Sequence, residues 1–250
     1  MGKASCRASG KTQGPHPSLP AVALAKARPT RPGVSVRSGR VRLVHPEAEE
    51  LFALDEALRA EGQRVLADSG IGAIIDEAGF APVGSQAMRT MTWRDLDFER
   101  PESPPDWEQH WEIGRRLAMT GWCVRLNCVN ATRESPQDPG LYWGLRVAHP
   151  DTREATPKDA PSIWKLDLWR IPPDDFERNH RQCERWLSLM TEEKRASVLA
   201  IKRALCYGPE YRRTVLSIHI YRAVLEHGVG DLPAFRTWWE ENVPQRPALG

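Results

Sequence analysis

No acidic residue occurs before Glu47 in this 250-residue chain, whereas Lys3, Arg7, Lys11, Lys26, Arg28, Arg31, Arg37, Arg40 and Arg42 all fall in that stretch. The formal net charge of +2 conceals this asymmetry: with those nine set aside, 26 of the 35 basic residues face 33 acidic ones, a net of −7. A surface of that sign speaks against long nucleic acid as a partner, because such binding is dominated by phosphate neutralisation. Residues 1–44 are rich in Pro, Gly, Ser and Arg and lack sustained hydrophobic periodicity, so they are expected to form a disordered basic segment. A transit peptide or a nucleic-acid-binding arm has a similar composition. Long apolar runs are also missing. Nothing approaches the ~20 residues of a membrane span, and Leu19–Ala25 is too short and interrupted for a secretory core, so a soluble, cytoplasmic protein is expected. The five cysteines form no CxxC pair and are odd in number, which excludes an evident zinc site or disulfide framework. Cys123 and Cys128 fall on one expected strand with opposite parity and face opposite sides while that strand is regular. No His-Glu-x-x-His pattern occurs.

With 40% hydrophobic and 27% charged residues, the chain can bury a substantial core. Leu51, Leu54, Leu58, Val65 and Leu66 recur at helical spacing from Glu47 to the Asp68-Ser-Gly70 break, and a second short helix follows from Ile71 to Ala78. Phe80-Ala-Pro-Val83 reads as a strand. Trp107–Met119 resumes helical spacing, with Trp107, Trp111 and Leu117 expected inward. Strands Trp122–Ala131 and Leu141–Val147 come next, with Arg125 and Asn127 sharing one face of the first and Tyr142 and Arg146 one face of the second. Either pair can line a phosphate or acceptor cleft, or form the polar outside of a hairpin. A last strand runs through Ile163–Trp169. Beyond Pro172-Pro173 only helices are expected, over Asp174–Met190, Thr191–Cys206, Pro209–His227 and Leu232–Asn242. The fold class is therefore α+β with a mixed sheet, organised as residues 45–172 followed by a helical C-terminal region at 173–250.

The stretch Val83–Glu99, VGSQAMRTMTWRDLDFE, carries most of the chemistry. Gly84 lets the backbone approach a ligand closely, and free N–H groups at a helix start, with the Ser85 hydroxyl, suit an anion. Asp95 and Asp97 alternate along a strand and share a face about 6.6 Å apart, while Leu96 and Phe98 point into the core. Two acids on one exposed face suit Mg²⁺, which takes hard oxygen ligands, as one ion or as a pair ~3.5–4 Å apart. Asp167, flanked by Leu166 and Leu168, supplies a third acid, with Lys165 and Trp169 on its side of the strand. Lys165 can contact phosphate or be held in a salt bridge. Taken alone, a Gly-Ser step is more often an ordinary turn and an Asp-x-Asp pair more often a solvated strand face.

Val83-Gly84-Ser85, nine intervening residues, then Asp95-Leu96-Asp97 and a later Asp167 resembles the pattern of the nucleotidyltransferase superfamily, which includes DNA polymerase beta and the antibiotic-modifying nucleotidyltransferases. The resemblance covers residues 80–170 at motif level. It implies a nucleotidyltransferase-like core and transfer of a nucleoside monophosphate from a nucleoside triphosphate to an acceptor hydroxyl. It also implies two Mg²⁺ ions held by Asp95, Asp97 and Asp167, triphosphate contacts at Gly84 and Ser85, and Asp167 as ligand of the second ion or as acceptor of the hydroxyl proton. A small molecule, a protein hydroxyl and an RNA end all fit as acceptor, and Tyr207, Tyr211, Arg212, Arg213 and Tyr221 are candidate acceptor contacts. The alternatives are a non-catalytic, antitoxin-like relative that binds a partner, or an interaction protein that works through its helical half.

Overall fold

The structure is a computed structural model that describes residues 47–134, 140–148 and 163–243. The expected basic segment and the loops through Pro136, Pro139 and Pro161 lie outside the described residues. The elements run in order α1 (Ala48–Asp68), α2 (Ile71–Glu77), β1 (Ala81–Val83), α3 (Gly84–Met88), β2 (Asp95–Pro101), α4 (Trp107–Met119), β3 (Cys123–Asn130), α5 (Ala131–Glu134), β4 (Leu141–Ala148) and β5 (Ile163–Ile171). Helices follow: α6 (Pro173–Leu189), α7 (Glu192–Leu205), α8 (Ser217–Tyr221), which passes into a wider π-turn at Arg222–Glu226, and α9 (Leu232–Asn242). The fold is α+β, around one five-stranded mixed sheet in the order β1-β2-β5-β4-β3.

Local chemistry accounts for several boundaries. Gly70, at φ 72°, separates α1 from α2 in a conformation that costs a residue with a Cβ. The Thr191 and Asp231 side chains accept from the Lys194 and Ala234 backbone N–H groups and start α7 and α9. Helix α6 begins at Pro173 rather than Asp174; proline suits a first helical position, and Asp174 and Asp175 then complement the positive helix end.

The sheet has two chemically distinct faces. Leu96 and Phe98 of β2, Trp164, Leu166 and Leu168 of β5, and Trp143, Leu145 and Val147 of β4 point to one side, where they form a core with Leu58, Val65, Ile71, Ile75, Ile113 and Leu117. Asp95 and Asp97, Lys165 and Asp167, and Tyr142, Gly144 and Arg146 alternate with them and occupy the other face. A second core joins Met88 of α3 to Trp186, Val198, Ile201, Ile220, Tyr221 and Phe235 of the helical half.

Three sequence expectations change here. Trp107 and Trp111 are 40% and 56% exposed, and α4 faces the sheet through His110, Ile113, Gly114 and Leu117 instead. That stripe was hidden because its first member is a histidine, buried against the Trp143 ring at a centroid separation of 4.8 Å. The expected Pro209–His227 helix starts only at Ser217, because Tyr211 is buried with its hydroxyl on Ser217 Oγ (2.7 Å) and Arg212 turns the backbone at φ 68°. Finally, β3 is not regular. A register shift between Cys123 and Arg125 brings Cys123 onto the core side with Leu126, the side on which Cys128 Sγ meets His110 Nε2 at 3.3 Å.

Candidate metal centre

Strand β5 inserts between β2 and β4, parallel to β2, with Asp97 and Asp167 as direct Cα partners and Asp95 opposite Lys165. Neighbouring strands lie about 4.8 Å apart, so this register sets the two acids side by side. One carboxylate oxygen from each of Asp95, Asp97 and Asp167 lies within 4.8 Å of the others. All three side chains are half-buried.

Two glycines make room for this cluster. Gly84 has φ +62°, and a Cβ placed there would stand 2.8 Å from Asp97 Oδ2. Val83, the residue before it, is the β1 partner of Asp97, so the turn is held against that carboxylate. Gly144 is the β4 partner of Asp167, and a Cβ there would stand 2.2 Å from the Tyr142 hydroxyl. Its bare backbone lets the Tyr142 ring fold across it, pack on Trp169 at 4.6 Å and donate from the hydroxyl to Asp167 Oδ1 at 2.9 Å.

Lys165 stands among the acids. Its ammonium donates to Asp95 Oδ1 at 2.9 Å and, in a still shorter contact, to Asp167 Oδ2, and the residue is buried. The Trp93 ring lies 5.8 Å from Lys165 Nζ and carries the Arg212 guanidinium 4.6 Å from its centre. Among the described residues no side chain donates to the Asp97 carboxylate.

The charges follow from this packing. Burial, then the neighbouring Asp95 and Asp167 charges, push the Asp97 carboxyl up to about 8 against the partial relief from Lys165. Burial also raises Asp95, although the Lys165 ammonium opposes it. For Lys165 itself burial acts downward, but Asp95, Asp167 and Asp97 outweigh it and hold the ammonium above its ordinary value. Burial and then Asp167 raise the Tyr142 phenol, which stays a donor. Three crowded carboxylates with one proton-bearing member are what a cation would relieve. Their hard oxygen donors, within 4.8 Å of one another, could hold a metal ion, and carboxylates of this kind suit hard divalent cations.

The loop after α3 is fixed from three sides by buried polar groups. Asp55 of α1, fully buried, accepts from the Met91 N–H at 2.7 Å and from Arg195 at 2.7 Å, and Arg195 also donates to the Arg89 carbonyl at 2.8 Å. Lys202 of α7, also buried, donates to the Thr90 carbonyl at 2.8 Å, and the Thr90 hydroxyl meets the Tyr221 hydroxyl at 2.7 Å. Helix α3 has only five residues, so its dipole is small, and what it presents beside the half-buried Ser85 is the N–H groups of its first turn.

Of the residues singled out in the sequence, Gly84, Asp95, Asp97 and Asp167 come together and Ser85 lies in the same turn. Tyr221 and Tyr211 do not serve an acceptor: both are buried, with their hydroxyls engaged inside the protein. Tyr207 and Arg213 are exposed, and Tyr207 carries Arg203 on its ring at 5.4 Å. Arg212 alone of that set stands at the site. Arg125 and Asn127 bond to each other on the exposed edge strand at 3.3 Å, on the sheet face that bears the acids. Sequence reasoning missed Asp55, Trp93, Gly144 and Lys202. Only the alternation that placed Tyr142 on one face gave a signal towards the Tyr142–Asp167 bond. No helix among the described residues is long and apolar enough to cross a membrane. No protein-family model matches the chain, and comparison with curated proteins finds no match.

Proposed function

We propose that this chain is a Mg²⁺-dependent nucleotidyltransferase that moves a nucleoside monophosphate from a nucleoside triphosphate to an acceptor hydroxyl, on a small molecule or a protein. The observation that carries this reading is the convergence of three carboxylates, within 4.8 Å of one another, on a sheet face beside a Gly-Ser turn. Asp95, Asp97 and Asp167 would hold the metal, as one ion or two. Magnesium, when bound, offsets the negative charge on the transferring phosphoryl group. The Gly84-Ser85 turn binds triphosphate oxygens through N–H groups and the Ser85 hydroxyl, and the positive φ of Gly84 keeps that turn against Asp97. Asp167 is a ligand or takes the acceptor proton, and the Tyr142 hydroxyl fixes its orientation. Arg212, stacked on Trp93, presents a positive group to the triphosphate. A cytoplasmic location is compatible with such a reaction.

Lys165 favours a second reading. Its ammonium already bonds two of the three acids, as expected of a relative that keeps the fold without the chemistry and binds a partner in the manner of an antitoxin. Pyrophosphate release separates the two. With Mg²⁺, a nucleoside triphosphate and a panel of hydroxyl acceptors, the enzyme reading requires release that stops with EDTA and with Asp95→Asn. A chain that neither binds Mg-nucleotide nor releases pyrophosphate contradicts the enzyme reading and leaves the non-catalytic ones.

A further inference from the structure

We infer that Lys165 is a displaceable resident cation: in the metal-free chain it holds Asp95 and Asp167 at metal-binding distance, and it must leave their shared oxygens when a divalent ion enters. The inference rests on the reading of Asp95, Asp97 and Asp167 as metal ligands and goes beyond it by giving the apo site its own counter-ion. Three observations carry it. Lys165 Nζ bonds Asp95 Oδ1 at 2.9 Å and also bonds Asp167 Oδ2, so one ammonium bridges two acids from different strands. Lys165 lies on the strand carrying Asp167, two residues away and opposite Asp95, so its backbone keeps it beside the acids while its flexible side chain can swing the ammonium off their oxygens. Beside the acids lies the Trp93 ring, already 5.8 Å from Nζ and also carrying Arg212 at 4.6 Å, whose face attracts an ammonium that leaves the carboxylates.

The same geometry explains why Lys165 and a metal do not share the site as it stands. A divalent ion bound to Asp95 and Asp167 would lie within a few ångströms of the ammonium, and like charges at that separation in a half-buried site repel strongly. Asp97, which Lys165 does not bond, is the acid an incoming ion can reach without displacing the ammonium. Lys165 therefore trades apo stability against metal affinity. It positions ligands and sets the affinity of the site without taking part in bond making or breaking.

Titration of the purified full chain with Mn²⁺ by calorimetry, beside melting curves with and without the ion, tests this. Lys165→Met keeps the length of the side chain and removes its charge. It should bind Mn²⁺ at least about tenfold more tightly than the wild type, melt lower without metal, and gain more from Mn²⁺ on melting. Lys165→Arg, whose planar fork suits two carboxylates, should keep or raise the metal-free melting temperature and bind Mn²⁺ more weakly than the wild type. It keeps the test decisive if Lys165→Met does not fold. Equal Mn²⁺ affinity in wild type and a folded variant, with binding still lost in Asp97→Asn, overturns the role of Lys165 and leaves the metal site standing. No Mn²⁺ binding in any of these proteins overturns both.

Discussion

Asp97 of β2 and Asp167 of β5 are opposite residues on adjacent parallel strands, although 70 positions separate them in the chain. The pairing converts a local Asp-x-Asp motif into a three-acid site, in which burial, and after it the neighbouring acids, raise the Asp97 carboxyl.

The first prediction concerns pH. A carboxyl that titrates near 3.8 when unfolded and at about 8 when folded keeps its proton longer in the native state. Its contribution to stability is therefore complete below the unfolded value and is lost as the pH rises through the folded one. The metal-free protein should melt at progressively lower temperature as the pH is raised towards and through about 8. Asp97→Asn, which has no proton to lose, should flatten that slope and hold or raise the melting temperature at alkaline pH. Differential scanning fluorimetry across a pH series in EDTA reads this directly, and an unchanged slope in the variant would contradict it.

Gly84→Ala combines a left-handed backbone with a Cβ 2.8 Å from Asp97 Oδ2. The backbone strain alone costs about 1–2 kcal/mol, and relief of the contact moves either the turn or the carboxylate. Urea denaturation should show a loss of that size, and Mn²⁺ titration a weaker site. A variant with wild-type stability and wild-type Mn²⁺ affinity would mean the turn does not depend on glycine.

Tyr142 and Gly144 are predicted to differ in how much stability their replacement costs. Tyr142→Phe removes one hydrogen bond to Asp167 and should cost only ~0.5–1.5 kcal/mol, while lowering kcat more than it alters KM if Asp167 needs that bond for orientation. Gly144→Ala drives a methyl group into the Tyr142 ring, whose hydroxyl would be 2.2 Å away, and should cost about 1–3 kcal/mol as an overpacked site does. Thermal unfolding of the two variants side by side checks the order.

Much of this arrangement was legible in the residues. Alternation alone placed Asp95 with Asp97, and Lys165 with Asp167 and Trp169, because strand parity needs no tertiary information. It could not reveal that β5 would lie between β2 and β4, since strand order is a property of the closed sheet. Nor could it reveal that Gly144 exists to admit the Tyr142 ring. Helical spacing misled where the buried residue was polar or the backbone turned: His110 took the inward position expected of Trp107 and Trp111, and Arg212 broke a run that reads as continuous helix. Tyr221 sits at helical spacing as a candidate surface contact, but its hydroxyl meets Thr90, 131 positions earlier in the chain.

The Asp55 clamp is predicted to be structural and costly to break. Asp55→Ala removes the acceptor for the Met91 N–H and leaves the Arg195 guanidinium, 14% exposed, without its carboxylate. Loss of one partner of a buried ion pair costs ~3–5 kcal/mol. Chemical denaturation should show that loss, together with weaker nucleotide binding from a loosened loop after α3. A change below about 1 kcal/mol, the range of an exposed pair, would contradict the clamp.

The most direct test of the central claim is calorimetric titration of the full chain with a non-hydrolysable nucleoside triphosphate, with and without Mg²⁺, in the wild type and in Asp97→Asn. The account predicts binding that requires Mg²⁺ and is lost in the folded variant. Binding that survives EDTA and Asp97→Asn unchanged, or no binding by the wild type with Mg²⁺ present, would contradict it.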